Sequence, residues 1–586
     1  MRNILLGLGL VGLFLGWNAP NHYPPWTAFH LEMFAGVGLC LIGAAVLGFD
    51  GRFPRRTFPE DTPMALGKSC LTAAPSARIW ALLASLPLLQ WLTGQLSFRG
   101  DAIIGTLYAL GVAFALYVGQ LWAAQRGSQQ VLRVLFLTLT AAAVVACGLA
   151  TAQWLHVLVS SWMAMELIDD RPFANFAQPN HFGLSMVMGL VALTALFETG
   201  AILRRWVYHL AIAFLIWGIT ISGSRASALA LVAVAVLWLL TQHRVGSRLH
   251  PFDLLLATLV GLLLFVGQEP LHQLLLFRQT ELRTTAEVGP RQWIWLHFWS
   301  AIQQRPWVGF GFNQAVEALA SVAGQVHPSR NTVFAHNLVL DLMTWVGIPL
   351  ALAMMAALIY WMTGWLRKSD DRQLMARRHW VLAIWLALLI QSMLEFPYAH
   401  TYFLLPAALL AGAATTLPGA LHGPKPGVRL RASPWMQGLA AGTAAVFFLL
   451  IWEYFHMEAD FRFNRFDRAD FSTKVSHEAM EAPWVLDQLA ALNASAHMGI
   501  APGMPADQLE QLRRLARRFH ILSIRLDYAK ALAVNGRLAE AEQELLIIRS
   551  VYHPTGFAAI DKSWRLWLMS QSLPAPAGTH RRTEQH

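Results

Sequence analysis

The sequence predicts an all-α membrane protein: a polytopic bundle of transmembrane helices followed by a soluble helical domain. Two observations lead to this prediction. Of the 586 residues, 56% are hydrophobic and only 13% are charged, whereas soluble domains carry about 25% charged residues. The apolar residues also occur in long uninterrupted runs. Together with a mean hydropathy of +0.44, these features indicate that most of the chain lies in lipid.

Thirteen apolar runs are long enough to cross about 30 Å of hydrocarbon as helices. The first resembles a signal peptide, but no small-residue cleavage site follows it before Trp17, so we expect it to remain as an anchored helix. The runs lie at 3–17, 31–49, 79–97, 102–124, 131–154, 181–203, 206–222, 225–242, 252–268, 336–365, 379–396, 400–417 and 435–456.

The basic residues are distributed unevenly among the loops between these runs. They concentrate in alternate loops, for example at Arg55 and Arg56 and at Arg377 and Arg378, as the positive-inside rule requires of cytoplasmic loops. We therefore expect a cytoplasmic N-terminus and a C-terminal domain on the outer side. The same loops account for the net charge of +10, so the charge gives no reason to expect nucleic-acid binding.

Two domains are expected. Residues 1–456 form the transmembrane domain, which includes a long outer loop at 269–335. Loops of this length in a compact protein are usually functional or disordered, and the aromatic periodicity at Trp293 and Trp295 favours order. Residues 457–586 form the soluble domain, with amphipathic helices at 476–496, 505–520, 522–535, 537–550 and 556–571.

Within the soluble domain, residues 526–542 look like one tetratricopeptide-type unit. The pattern predicts two helices joined at Asn535 and Gly536, with small residues where the helices approach each other. Such repeats need stacked neighbours to bury their apolar faces. An ordinary helical hairpin is therefore an equally good interpretation.

Four places on the predicted outer side carry side chains suited to chemistry: Arg225, Arg291, His336 and the stretch Gln178–His181. Ionisable residues at a membrane are costly to bury and for that reason indicate function. A planar guanidinium suits a pair of phosphate oxygens. An imidazole can accept a proton near neutral pH, as a general base must.

Each candidate also has an ordinary structural interpretation. Arg225 could be an interfacial anchor that extends to the lipid headgroups, Arg291 a solvated residue of a first helical turn, and His336 a helix cap or an interfacial residue. The stretch Gln178–His181 offers amide and imidazole groups that read sugar or amide edges, but it could equally end a loop and cap the next helix. The residue types alone leave both interpretations open.

Motifs for cofactors are missing from the sequence. It contains no Walker-type phosphate loop, no dinucleotide fingerprint and no zinc-binding His-Glu-x-x-His motif. Cys40, Cys70 and Cys147 fall in apolar runs or in a predicted cytoplasmic loop, which suits neither a disulfide framework nor a metal cluster. We therefore expect no metal, no cofactor and no cytoplasmic nucleotide.

Six motifs follow one another along the chain: Pro24–Glu32, Gln178–His181, Ser222–Ala226, Arg291–Gly311, His336–Ile348 and Leu394–Pro406. In this order and topology they resemble the bacterial protein O-oligosaccharyltransferases, a branch of the O-antigen ligase and polymerase superfamily. The third, fourth and fifth motifs carry the likeness to the superfamily, and the other three carry the likeness to the branch. The resemblance spans about residues 17–415, and the soluble tail matches more loosely.

The resemblance implies an enzyme of the bacterial inner membrane with a periplasmic C-terminal domain. Its donor would be an oligosaccharide linked to undecaprenyl diphosphate, and its acceptor a Ser or Thr hydroxyl of a protein such as pilin. Arg225 and Arg291 would bind the diphosphate and stabilise the leaving group, and His336 would be the base or would orient the hydroxyl. The expected substrate-binding residues are Gln178, Asn180, His181, Asn337, Glu395 and Tyr398.

Other functions stay open from the sequence alone. An O-antigen ligase would use lipid A–core as acceptor, and a polymerase would use another lipid-linked glycan. The stretches Gln178–His181 and Glu395–Tyr398 favour a protein acceptor. A transporter or lipid flippase belongs to another class, and the sequence shows no internal repeat of apolar segments of the kind that transporters have.

Overall fold

A computed structural model of the chain describes most of its length. Arg55, Arg56 and Cys70 of the predicted inner loop, and the segment 275–290 of the predicted outer loop, lie outside the described residues. The described ranges are 1–48, 75–157, 160–167, 171–202, 204–274, 291–326, 332–367, 372–415, 434–468, 480, 482–551 and 554–573.

Within these ranges the chain is helical, and no strand occurs there. One short 3-10 helix spans Pro397–Ala399. The α-helices in chain order are α1 (Arg2–Asn18), α2 (Phe29–Leu47), α3 (Pro75–Leu83), α4 (Ser85–Leu92), α5 (Arg99–Arg126), α6 (Ser128–Trp154), α7 (Pro179–Glu198), α8 (Arg205–Ser222), α9 (Arg225–Val245), α10 (Pro251–Leu274), α11 (Arg291–Gln304), α12 (Ala315–Ser321), α13 (Leu338–Val346), α14 (Ile348–Gly364), α15 (Arg372–Ser392), α16 (Thr401–Ala414), α17 (Pro434–Arg468), α18 (Asp487–Ser495), α19 (Ala506–Arg518), α20 (Leu522–Val534), α21 (Leu538–Val551) and α22 (Pro554–Ser570).

In the described part of the chain, eight helices are long and apolar enough to cross a membrane. They are α2, α5, α6, α7, α8, α9, α15 and α17. Residues 251–267 of α10, together with α14 and α16, form shorter apolar helices. The predicted class, an all-α polytopic membrane protein, is confirmed.

The predicted span 79–97 is not one continuous helix, because the chain breaks inside it. Two short helices, α3 and α4, lie on either side of Ala84. Pro87 has no N–H to donate to the preceding turn, which weakens a continuous helix at this point. At the break itself, the carbonyl of Ala84 accepts a hydrogen bond from the hydroxyl of Thr106 at 2.9 Å.

The predicted span 336–365 is also not one continuous helix, and here the break lies at Gly347, between α13 and α14. Gly347 has a φ of +81°, and a Cβ at this position would lie 2.4 Å from the backbone of Trp307. The loop after α11 packs against the break, since the N–H of Phe310 donates to the carbonyl of Thr344 at 2.7 Å. Hydropathy does not detect a break made by packing of this kind.

The chain groups into two compact units. Unit 1 comprises residues 1–85, 106–284 and 356–451, and unit 2 comprises residues 86–105, 285–355 and 452–586. Helices α2, α6, α7, α8, α9 and α15 lie in unit 1, and the C-terminal helices α18 to α22 lie in unit 2.

In unit 1 the helices approach one another closely through glycines. A Cβ at Gly12 of α1 would lie 2.7 Å from the Cα of Gly38 of α2, a packing of small residues that is typical of membrane helices. Helix α7 packs against α6, α8, α9 and α15. A Cβ at Gly183 of α7 would lie 2.5 Å from the hydroxyl of Ser227 in α9. This close approach holds the start of α7 beside the start of α9.

In unit 2 the C-terminal helices hold the start of α5. The carboxylate of Asp487, the first residue of α18, accepts from the N–H of Gly100 at 2.7 Å and from the N–H of Arg99 at 3.1 Å. A helix start leaves four N–H groups without partners in the helix. Asp487 therefore caps α5 from a position 387 residues beyond Gly100 in the chain.

The hairpin predicted within residues 526–542 is confirmed. Helices α20 and α21 meet at Asn535 and Gly536, and Gly536 adopts a φ of +79°. A buried ion pair between Arg525 and Glu544 joins the two helices. Of the predicted helix 476–496, Asp487–Ser495 is helical, and residues 476–479 and 481 lie outside the described part.

We predict that Asp487→Ala lowers the thermal stability of the detergent-solubilised protein. The substitution leaves two N–H groups at the start of α5 without their acceptor, a loss worth about 0.5–2 kcal/mol for a capping residue. Glu540→Ala is the matched control, because Glu540 takes part in an exposed ion pair with Arg537, and such pairs contribute about 0–1 kcal/mol. Equal midpoints of thermal unfolding for the two variants would contradict the capping role.

Candidate active site

The start of α7 presents two amide side chains to a buried carboxylate. Gln178 is the residue before the helix, yet its side chain makes no capping hydrogen bond. Asn180 Nδ2 donates to Glu395 Oε1 at 2.6 Å, and Gln178 Nε2 donates to Glu395 Oε2 at 3.5 Å. Capping of α7 therefore does not explain these side chains. We call Gln178, Asn180 and Glu395 the amide–carboxylate cluster.

Glu395 is only 1% exposed, which makes its hydrogen bonds necessary. A carboxylate removed from water loses much free energy unless protein groups replace the lost hydrogen bonds. The two amides supply such donors. Pro179 fixes the first turn of α7, a position at which proline is favoured, so the donors approach Glu395 from a rigid start.

Asn180 also contacts two residues outside the cluster. Its side-chain oxygen accepts from Arg171 Nη2 at 3.3 Å, and its backbone carbonyl accepts from Gln391 Nε2 at 3.0 Å. Gln391 in turn accepts from the hydroxyl of Ser227 at 3.4 Å. Asn180 thus links Arg171, the end of α15 and the first turn of α9.

The turn between α8 and α9 leads directly to Arg225. The last residue of α8, Ser222, accepts through its carbonyl from Arg171 Nε at 3.0 Å and from Nη2 at 2.6 Å. Gly223 follows with a φ of +57°, and the hydroxyl of Ser224 caps α9 by accepting from the N–H of Ser227 at 3.2 Å. Arg225 is the first residue of α9, as predicted, and its side chain is exposed.

His181 is buried among aromatic rings. Its Nδ1 lies 3.1 Å from the hydroxyl of Tyr402, and its ring centroid lies 4.7 Å from that of His400 and 5.2 Å from that of Phe396. Tyr398 is half-buried in the 3-10 helix that follows Glu395. The predicted contacts of His181 and Tyr398 with substrate stay predictions.

A second acidic side chain from the predicted motifs is also buried in unit 1. Glu32 Oε1 accepts from the hydroxyl of Tyr108 at 2.9 Å and lies 3.1 Å from Nδ1 of His400. His400 is the residue before α16, and it lies in the same connection between α15 and α16 as Glu395. The motif Pro24–Glu32 therefore contacts, through His400, the segment that carries Glu395.

In unit 2, Arg291 is the first residue of α11, as predicted, and is half-buried. Trp295, one turn further on, donates from Nε1 to the carbonyl of Ala335 at 2.9 Å. This hydrogen bond fastens α11 beside the residue that precedes His336. His297 also lies in α11, and burial lowers the pKa of its imidazole to about 4. This imidazole is therefore neutral at pH 7.

His336 has an unusual backbone conformation. Its φ is +54°, a left-handed value that few residues other than glycine adopt. On one side, the N–H of Ala335 donates to both oxygens of buried Asp341 at 3.0 and 3.1 Å. On the other side, Asn337 caps α13 by accepting from the N–H of Val339 at 3.0 Å. The helix cap is therefore Asn337 and not His336.

Strained residues of this kind persist only where the surroundings determine them, and they cluster at functional sites. The hydrogen bonds of Ala335 and Asn337 restrain the backbone on both sides of His336, whose side chain is half-buried. Unit 2 thus holds Arg291, His336 and Asn337, whereas unit 1 holds Arg225 and the amide–carboxylate cluster.

Sequence reasoning missed three residues that support these side chains: Arg171, Gln391 and Asp341. In the sequence, Arg171 is one of several charged residues in the loop before α7, and nothing in the pattern distinguishes it from them. Asp341 carried a usable signal, because an acid inside an apolar run is costly and therefore functional by expectation. Gln391 gave no such signal.

Comparisons with known proteins identify the family. The O-antigen ligase family matches residues 210–355, and the C-terminal domain described for virulence factor membrane-bound polymerases matches residues 379–564. The general O-oligosaccharyltransferase of Acinetobacter baylyi (strain ATCC 33305 / BD413 / ADP1) is 30% identical over 430 residues, which cover 70% of each chain. The chain belongs to the O-oligosaccharyltransferases of the O-antigen ligase superfamily.

A second O-oligosaccharyltransferase of the same organism, described as ComP-specific, is 25% identical over 279 residues, which cover 46% of this chain and 48% of the relative. The predicted resemblance is confirmed, and the chain is a membrane-bound glycosyltransferase of O-linked protein glycosylation. The ligase match at 210–355 includes Arg225, Arg291 and His336. The match at 379–564 includes Glu395 and Tyr398.

We predict that Asn180→Asp lowers both stability and transferase activity. The substitution replaces a donor that lies 2.6 Å from Glu395 Oε1 with a second carboxylate, and like charges at this distance repel. Loss of a hydrogen bond to a buried group costs about 1–3 kcal/mol. A second substitution, Glu395→Gln, places an amide donor opposite the new carboxylate and should recover part of the loss.

Thermal unfolding and initial transfer rates of the two single variants and the double variant provide the measurement. A double variant that is no better than Asn180→Asp alone would contradict a direct pairing between these two side chains.

Proposed function

We propose that this O-oligosaccharyltransferase transfers an oligosaccharide from undecaprenyl diphosphate to Ser or Thr hydroxyls of periplasmic proteins, pilins among them. The observation that carries the proposal is the 30% identity over 430 residues to a general O-oligosaccharyltransferase. The exposed Arg225 and the fixed His336 supply the chemical groups that such a reaction needs.

Arg225 is proposed to bind the diphosphate of the donor. It stands at the first position of α9, where backbone N–H groups and the helix dipole favour an anion. Its guanidinium can donate two parallel hydrogen bonds to phosphate oxygens. The exposed side chain after the Gly223 turn is accessible to such a group.

Arg291 is proposed for the second contact with the diphosphate. It also stands at a helix start, that of α11. Cleavage of the bond between sugar and phosphate develops negative charge on the diphosphate, so fixed guanidinium groups stabilise the transition state more than the ground state. The energy of transfer comes from the donor's own phosphate bond.

His336 is proposed as the general base, or as the group that orients the acceptor hydroxyl. A neutral imidazole accepts the hydroxyl proton as the oxygen attacks the anomeric carbon. Asn337, which caps α13 beside it, is proposed to contact substrate. The remaining substrate contacts are proposed from Gln178, Asn180, His181, Glu395 and Tyr398.

The topology is part of the proposal. We place the N-terminus in the cytoplasm, residues 1–456 in the transmembrane catalytic domain with its outer loop at 269–335, and residues 457–586 in the periplasm. The uneven distribution of Lys and Arg among the loops supports this orientation. The expected independence of metals and cofactors stays a prediction.

The test is an assay with the purified full-length protein, undecaprenyl-diphosphate oligosaccharide, a pilin-like protein and EDTA throughout. We expect glycan on Ser or Thr of the acceptor. We also expect Arg225→Ala, Arg291→Ala and His336→Ala to lower the rate by about 100-fold or more, as the loss of a charge-stabilising or proton-transferring group does.

Arg205→Ala is the control, since Arg205 lies at the opposite end of α8 from the Gly223 turn. Wild-type rates in all three site variants would refute the assigned roles. Transfer to lipid A–core or to another lipid-linked glycan, with none to protein, would refute the protein acceptor.

A further inference from the structure

We infer that Arg171 is a positioning residue for Arg225 and couples the turn that carries Arg225 to the buried carboxylate of Glu395. The inference rests on the proposed function, in which Arg225 binds the donor diphosphate. It assigns a role to a loop residue that belongs to none of the six motifs.

The contact between Arg171 and the turn is bidentate. Arg171 Nε and Nη2 both donate to the carbonyl of Ser222, at 3.0 and 2.6 Å. The last carbonyls of a helix have no partner within the helix, and Arg171 supplies one at the end of α8. A Cβ on Gly223 would lie 3.2 Å from Arg171 Nε, so the guanidinium packs directly on the turn.

The turn at Gly223 and Ser224 sets the direction of Arg225. Only Gly223 and Ser224 separate the end of α8 from the first residue of α9. Gly223 takes a left-handed φ of +57°, and the Ser224 hydroxyl accepts from the N–H of Ser227 at 3.2 Å. A displacement of the Ser222 carbonyl would therefore also displace Arg225, because only two residues lie between them.

The other side of Arg171 connects to the amide–carboxylate cluster. Arg171 Nη2 lies 3.3 Å from Asn180 Oδ1, and Asn180 Nδ2 lies 2.6 Å from Glu395 Oε1. An amide accepts at one end and donates at the other, so Asn180 is oriented by a cation on its oxygen side and an anion on its nitrogen side. The buried charge of Glu395 thereby holds Arg171 in place.

A second path reaches the same helix start. Gln391 donates to the Asn180 carbonyl at 3.0 Å and accepts from the Ser227 hydroxyl at 3.4 Å. The Ser227 hydroxyl oxygen also lies 2.9 Å from the hydroxyl oxygen of Ser224, which can donate to it. Both ends of the turn before Arg225 are therefore linked to Asn180, one through Arg171 and the other through Gln391.

Lysine cannot replace this arginine fully. An ammonium group is a compact charge on a flexible stem, whereas the guanidinium donates to the Ser222 carbonyl from two nitrogens and reaches Asn180 as well. Arg171→Lys should keep the charge but lose this geometry. It should therefore show an intermediate activity, between those of the wild type and Arg171→Ala.

The experiment is a double-mutant cycle on transfer by the full-length protein, with undecaprenyl-diphosphate oligosaccharide as the varied substrate. Arg225→Ala should lower kcat/KM for the donor by about 100-fold. Arg171→Ala should lower it by about 10-fold or more, as the misplacement of a binding group does. The double variant should be no worse than Arg225→Ala within about 2-fold, because Arg171 acts through Arg225.

Arg205→Ala is the matched control, because Arg205 also donates to a backbone carbonyl, that of Arg248 at 3.1 Å; it should keep the wild-type kcat/KM. Losses that multiply in the double variant, or wild-type activity of Arg171→Ala, would overturn the inference while leaving the proposed function intact. Full activity of Arg225→Ala would overturn both the inference and the diphosphate-binding role of Arg225. If Arg171→Ala does not accumulate in membranes, Arg171→Lys takes its place in the same cycle.

Discussion

A carboxylate enclosed among apolar helices must find its hydrogen-bond donors in the protein, and in unit 1 this constraint falls on Glu395. At 1% exposure it depends on Asn180 and Gln178 at the start of α7. Because Asn180 also accepts from Arg171, satisfying one buried charge fixes the start of one helix and, through the Ser222 carbonyl, the end of another. Polar networks of this kind rigidify a core only when each member is satisfied.

Unit 2 contains a similar arrangement around a different acid. Buried Asp341 accepts twice from the N–H of Ala335, and this contact helps to hold His336 in its left-handed conformation. In each unit a residue proposed for catalysis thus lies close to a backbone group that a side chain holds. Arg225 follows the Ser222 carbonyl, which Arg171 contacts, and His336 follows the Ala335 N–H, which Asp341 contacts. Orientation of reacting groups in advance is a large part of enzymatic rate enhancement, and the proposed roles of Arg225 and His336 give these buried acids a function.

The sequence was a good guide to features that depend on local pattern and a poor guide to those that depend on distant contacts. Apolar runs predicted the all-α class, and helix-start signals placed Arg225 and Arg291 correctly at the starts of α9 and α11. The break at Gly347 depends on packing against Trp307, and Arg171 contacts a carbonyl 51 residues further along the chain. The contact of Arg171 leaves no periodic signal in the sequence, whereas Gly347 followed by Pro349 is a break signal that the apolar run concealed.

Hydrogen–deuterium exchange tests most directly whether the network from Glu395 through Asn180 and Arg171 orders the turn before Arg225. The measurement follows a peptide that covers residues 219–228 in the wild type and in Asn180→Ala. We predict faster exchange of this peptide in the variant, with the exchange of a peptide at the start of α8 unchanged. Equal exchange at 219–228 in both proteins would contradict the role of the network.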